Sequence, residues 1–246
     1  MTTSVAETPL KAETMTPYKI SVGIRFQPNF VLQDVIGHIL QDIARNPKSP
    51  FANGYFDVVG TNANSNDNVL RRKDSQTYLR INTSDIIYED FLDAKTFDQT
   101  FDWIIAEALP YIVANVLKKY SVSDVMRIGV IFGFKGDSRA LTEKAVVSVA
   151  GERFSESENV TLRFTKRFPA EAALVKKAVS DFRNVIITIN KDASQSAHFV
   201  DFDCQYVFDP GLENLADFSF IEFLKDSKAN LLKTYKPSIL GIEQDS

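Results

Sequence analysis

The chain has 246 residues, 44% hydrophobic and 24% charged, which is the composition of a globular protein with a substantial core. A net charge of −4 and a pI near 5.3 exclude a molecule steered as a whole towards nucleic acid or anionic lipid, and leave only a local basic face. A single cysteine, Cys204, excludes an intramolecular disulfide framework.

Residues 1–16, rich in Thr, Ala and Glu, lack a basic start and an apolar run. They read as a disordered leader and not as a secretory signal, and with the lone cysteine they predict a cytoplasmic protein. In 18–26, Ile20, Val22, Ile24 and Phe26 alternate against Lys19, Ser21, Gly23 and Arg25, the period of a half-buried strand. Val31, Leu32, Val35, Ile36, Ile39, Leu40 and Ile43 recur at helical spacing, and Asn46-Pro47 stops them. Short strands are predicted at Tyr55–Thr61, Val69–Arg72, Thr77–Asn82 and Ile86–Glu89, separated by a polar loop at 62–67 and a Lys73-Asp74-Ser75 turn. A long helix follows over Thr96–Tyr120, kinked at Pro110; its most apolar part, Trp103–Leu117, holds Glu107, Pro110 and Asn115, so no membrane span is predicted.

The order then repeats. Met126–Phe134 alternates like 18–26, Lys135-Gly136-Asp137 reads as a turn, and Ser138–Val149 as a helix. Strands are predicted at Val160–Phe168, Val185–Asn190 and His198–Phe208, and a helix over Leu215–Tyr235 ending at Pro237; 170–179 fits helix or strand. The long helices end alike, Ala114-Asn115-Val116-Leu117-Lys118-Lys119-Tyr120 against Ala229-Asn230-Leu231-Leu232-Lys233-Thr234-Tyr235. We therefore read an α+β fold built by internal duplication: a β-α-β(3-4)-α unit at 17–122, a similar one at 123–237, and a tail at 238–246, with antiparallel sheets covered by helices on one face.

This element order resembles the saddle of the TATA-binding-protein fold, with the single helix-grip domain as the nearest relative; no DNA-contacting residue is carried over. Met126-Arg127-Ile128-Gly129, Val200-Asp201-Phe202-Asp203 and the closing Phe220–Lys233 helix also resemble a sporadically distributed family of uncharacterised bacterial proteins, although Val130-Ile131-Phe132-Gly133-Phe134 departs from that family's polar continuation. The resemblance implies a cytoplasmic protein and carries no activity.

No catalytic constellation is recognisable, and no metal or cofactor is expected. His38 and His198 stand apart from other ligands, and alternation puts Cys204 on the apolar side of its strand. Phe132-Gly133-Phe134-Lys135-Gly136-Asp137-Ser138 lacks a P-loop ending and reads as a strand–helix turn. The feature that points to function is the opposite, polar side of the strands. Alternation puts Arg25, Arg80, Arg127, Arg163 and Arg167 there, with Tyr78, Ile131 and Phe199, and with Asp201 and Asp203 as carboxylates available to neutralise them; Arg71-Arg72-Lys73 adds a basic hairpin tip. The first reading is a binding module that presents this open face to an anionic or extended partner, a nucleic-acid strand or an acidic peptide. The alternatives are a small-ligand or sensor pocket between sheet and long helix using Asp201, Asp203 and Arg163, and an assembly subunit whose open sheet is buried by a second copy.

Overall fold

The computed structural model describes residues 15–52, 56–59, 68–72, 75–92, 96–136, 139–154, 159–170, 174, 180–191 and 198–235. The predicted leader up to residue 14, the 62–67 loop, Lys73-Asp74, most of 170–179 and the tail lie outside them. The elements are β1 Thr16–Phe26, α1 Phe30–Arg45, β2 Phe56–Val59, β3 Val69–Arg72, β4 Tyr78–Ile81, β5 Asp85–Phe91, α2 Phe97–Lys118, β6 Val125–Gly136, α3 Arg139–Ala150, β7 Val160–Pro169, β8 Phe182–Lys191, β9 His198–Leu212 and α4 Phe220–Asn230, which continues as a π-helical turn through Leu231–Tyr235.

The strands form one nine-stranded antiparallel sheet in the order β2-β3-β4-β5-β1-β6-β9-β8-β7. In each half the first strand lies beside the last, and the halves meet at the central pair of β1 and β6, where Val22 is opposite Val130 and Gly23 opposite Gly129. Alternation builds the core: Ile20, Val22, Ile24 and Phe26 are buried on one side of β1, as are Ile128, Val130, Phe132 and Phe134 on β6. Helices α1, α2 and α4 cover that side. The core is continuous between the halves, since Phe97 and Phe101 of α2 stack against Phe132 of β6 at 6.0 Å each. Lys228 of α4 reaches back to Asp98 of α2 at 2.7 Å and lies 4.4 Å from the Phe101 ring.

Local chemistry sets the helix ends. Asn29 caps α1 by accepting from the backbone N–H groups of Val31 and Leu32, and the helix closes at Asn46 before Pro47. Pro110 lacks the N–H that an α-helix would use at that position, and α2 widens into a π-helical turn just before it, at Ile104–Ala108, and again at Val113–Lys118. By length and mean hydropathy alone (22 residues, 1.3) α2 would be long and apolar enough to cross a membrane. Its buried stripe of Phe97, Phe101, Ile104, Ala108, Ile112, Val116 and Leu117 instead packs on the sheet as a core helix.

Several boundaries differ from expectation, three of them for a visible reason. Met15 is buried and Thr16 opens β1, so the first strand starts before residue 18. Lys135 and Gly136 continue β6 and do not turn, because Phe199 and His198 of β9 pair with them; the segment considered as a phosphate loop is strand as far as Gly136. The last helix begins at Phe220 and not Leu215: Leu215–Asp217 is a separate 3-10 turn started by the Asn214 side chain, and Phe218 then leaves helical geometry with its ring 4.8 Å from those of Tyr206 and Phe208.

Candidate functional site

The face of the sheet away from the core carries Lys19, Ser21, Gly23 and Arg25 on β1, Asp85, Ile87, Glu89 and Phe91 on β5, and Tyr78 and Arg80 on β4. In register beyond them are Arg127, Gly129, Ile131 and Lys135 on β6, Asp201, Asp203 and Gln205 on β9, and Thr161, Arg163, Thr165 and Arg167 on β7. Arg71 of β3 belongs to this face because it is opposite Tyr78. Arg72 does not: as the next residue of the same strand it points to the helix side, where it lines a cavity with Tyr88 and Asp90. The sequence reading that grouped Arg71 and Arg72 is corrected accordingly, and Lys73 lies outside the described residues.

A groove of about 170 Å³ lies along the middle of the open face. Its floor is the Gly23–Gly129 pair, where two opposed residues without side chains leave a trough between neighbouring pleats. Ile87 of β5 and Gln205 of β9 flank it, Arg25 and Arg127, directly opposite each other, stand at one end with Asp85 across from Arg25, and Ser21 and Ile131 close the other end. Asp203 completes the β9 side.

The carboxylates of this face are engaged mainly by residues other than the arginines. Lys19 Nζ donates to Asp201 Oδ2 at 3.0 Å and the Tyr18 hydroxyl donates to Asp201 Oδ1 at 3.1 Å. Gln205 Nε2 donates to Asp203 Oδ2 at 2.5 Å, and Arg127 Nη1 donates to Gln205 Oε1 at 3.4 Å. Arg80 alone of the five predicted arginines forms an ion pair among the described residues, with Asp85 at 3.5 Å, and Asp85 also accepts from Asn82. Arg167 lies 3.9 Å from the ring of Phe182, and Arg25, Arg163 and Arg167 are exposed. Register explains this distribution: Asp201 is opposite Gly133 and Thr188, and Asp203 is opposite Ile131 and Ile186, so no arginine sits directly across from either.

Burial pushes the Asp203 carboxyl above its usual range, and the Gln205 hydrogen bond and the charges of Arg127 and Arg163 only partly offset that. Burial, then the charge of Asp201, push the Tyr18 phenol up to about 12, so it is a hydrogen-bond donor at neutral pH. Tyr18 reaches this face through an irregularity of β1: the register with β6 shifts between Pro17 and Lys19, and its ring settles over Gly133, where a Cβ would come within 2.6 Å of Tyr18 Cε1. Phe199 lies edge-on at 5.2 Å and Phe91 at 6.4 Å from the Tyr18 ring. Sequence reasoning found Phe199 and missed Tyr18 and Phe91, because simple alternation sends Tyr18 to the other side.

The pocket expected between sheet and long helix exists, but with other residues. About 620 Å³ lies between the start of α2 and β3–β5, bounded by Trp103, Gln99 and Thr100 on the helix and by Arg72, Tyr88 and Asp90 on the strands. Asp90, 7% exposed, accepts the hydroxyls of Thr77 and Tyr88. Asp201, Asp203 and Arg163, assigned to that pocket from sequence, lie on the open face instead. Among the described residues no three His, Cys, Asp or Glu side chains are gathered where they would hold a metal ion. No family model, no curated protein and no solved structure matches the chain.

Proposed function

We propose that the protein is a binding module, without catalytic chemistry of its own, that presents the open face of its sheet to an anionic, extended partner such as a nucleic-acid strand or an acidic peptide. The observation that carries this reading is the Arg25–Arg127 pair: two arginines directly opposite each other at one end of a glycine-floored trough, neither in an ion pair among the described residues, with Asp85 beside them taken up by Arg80. Guanidinium groups suit bidentate contact with phosphate and carboxylate oxygens, and an anion between them would relieve their repulsion. The wider face supports it. Among the described residues the register brings eight basic residues to this side, Lys19, Arg25, Arg71, Arg80, Arg127, Lys135, Arg163 and Arg167, against five acids, Asp57, Asp85, Glu89, Asp201 and Asp203, in a chain whose net charge is −4.

The test is fluorescence anisotropy with a labelled polyglutamate peptide and a labelled oligonucleotide at rising salt. Binding should weaken steeply with salt, and Arg25→Ala with Arg127→Ala should weaken it about tenfold or more. Lys48→Ala with Lys118→Ala removes the same charge from exposed sites outside the sheet and should leave it nearly unchanged. Absence of binding to either probe at low salt, or equal losses in both double variants, would refute the reading. A second reading is a small-molecule site, supported by the 620 Å³ cavity beside Asp90 and Trp103, a volume within the usual range for ligand pockets.

A further inference from the structure

Resting on the anion-binding reading of the open face, we infer that its partner is single-stranded nucleic acid, whose bases stack on the ring cluster of Tyr18, Phe91 and Phe199 while its phosphates reach the Arg25–Arg127 pair. An acidic peptide would need the cations but not the rings. The face offers both. Tyr18 is held in place by the β1 irregularity, by Gly133 beneath it and by its hydrogen bond to Asp201, so its ring is oriented before any partner arrives. Phe91 is 38% exposed and Phe199 half-buried, each beside the Tyr18 ring, so ring surface remains open to solvent. Lys135, exposed and opposite Phe199, supplies a cation next to the rings for the adjoining phosphate.

The spacing fits a flexible strand. The rings flank Lys19 and the arginine pair includes Arg25, six residues further along β1, about 20 Å at roughly 3.3 Å per residue. A few unstacked nucleotides bridge that distance, and the Gly23–Gly129 trough between the two ends lets a sugar–phosphate backbone approach the sheet. A duplex keeps its bases paired inside and offers the rings nothing to stack on without being opened.

The experiment compares four fluorescein-labelled probes at fixed low salt: a 20-mer of thymidylate, a 20-mer of the same length made of abasic sites, a 20-bp duplex, and polyglutamate. The thymidylate strand should bind tightest, with the abasic strand about tenfold weaker, because it keeps the phosphates and loses the bases. Phe91→Leu with Phe199→Leu keeps apolar volume and removes the π faces; it should weaken thymidylate binding about tenfold while abasic and polyglutamate binding stay within twofold. A thermal melt verifies that this variant is folded, and Phe91→Leu alone, at the more exposed position, should show the same selectivity on a smaller scale. If the abasic strand, the duplex or polyglutamate binds as tightly as thymidylate, or if the leucine variants bind thymidylate like the parent, the single-strand proposal falls and the anion-binding reading stands. If none of the four binds, both fall.

Discussion

Arg25 and Arg127 are cross-strand neighbours at the centre of the sheet, and neither forms an ion pair among the described residues: Asp85, opposite Arg25 on β5, pairs with Arg80 instead. Like charges directly opposite on antiparallel strands are destabilising, so this pair is a local cost that the fold carries. Arg127→Ala should therefore leave unfolding free energy within about 0.5 kcal/mol of the parent, or raise it slightly, in chemical denaturation at low salt. Tripolyphosphate should raise the melting temperature of the parent and do so much less for the variant. A loss of more than about 1.5 kcal/mol on removing the guanidinium would mean that Arg127 supports the fold through Gln205 instead.

Asp203 gives a pH-dependent counterpart. Its carboxyl titrates above the usual value of 3.8 because it is buried, so between its unfolded and folded values the native state binds the extra proton. Stability contributed by this group is present below pH 3.8 and is lost as pH rises through the higher folded value. Asp203→Asn, which can still accept from Gln205, should melt higher than the parent at pH 7, with the difference closing towards pH 3. The same substitution should strengthen polyanion binding, since it removes a negative charge from the groove.

The glycines of the open face separate packing from function. At Gly133 a new Cβ would lie 2.6 Å from Tyr18 and 2.9 Å from Asp201 Oδ1, so Gly133→Ala should cost about 1–3 kcal/mol in denaturant titrations and displace the Tyr18 ring. At Gly23 the nearest atom, on Ile87, is 3.7 Å away, and Gly23→Ala should be neutral or stabilising by about 0.5 kcal/mol. If partner backbone enters the trough, that variant should bind less well despite being no less stable.

Cys204 is 2% exposed, on the core side of β9, and burial pushes its thiol up to about 12. Labelling by a thiol reagent at pH 8 should be slow under native conditions and fast in denaturant, with the native rate limited by opening of the sheet. Fast native labelling would show that β9 faces the other way.

The facing of every arginine in β1, β4, β6 and β7 was legible from side-chain alternation, because in a strand a two-residue period leaves little choice. Arg72 was misplaced when a run of basic residues was treated as one patch, although neighbours in a strand must diverge. What alternation cannot supply is register. Gly23, Gly129, Arg25 and Arg127 are all visible in the sequence, but only the pairing of β1 with β6 makes them a trough with a cationic end. Register also decided the fate of the acids, which were expected to neutralise the arginines and went to Lys19 and Gln205. Lys135-Gly136 looks like a turn and is strand, since pairing with β9 outweighs local propensity. The Tyr18 ring depends on a break in the very periodicity that identified its strand.

The central position of β1 has a consequence for synthesis on the ribosome. One of its two neighbours, β6, begins at Val125, about a hundred residues after β1 ends at Phe26. At roughly 5–20 residues per second, β1 waits about 5–20 s with one edge unpaired while the strands and helix of the first half are already available to fold around it. During that interval the vacant edge accepts any antiparallel strand of matching pattern, including β1 of a neighbouring nascent chain on the same message, and exchange between copies at this seam is the misassembly to which this topology is most exposed.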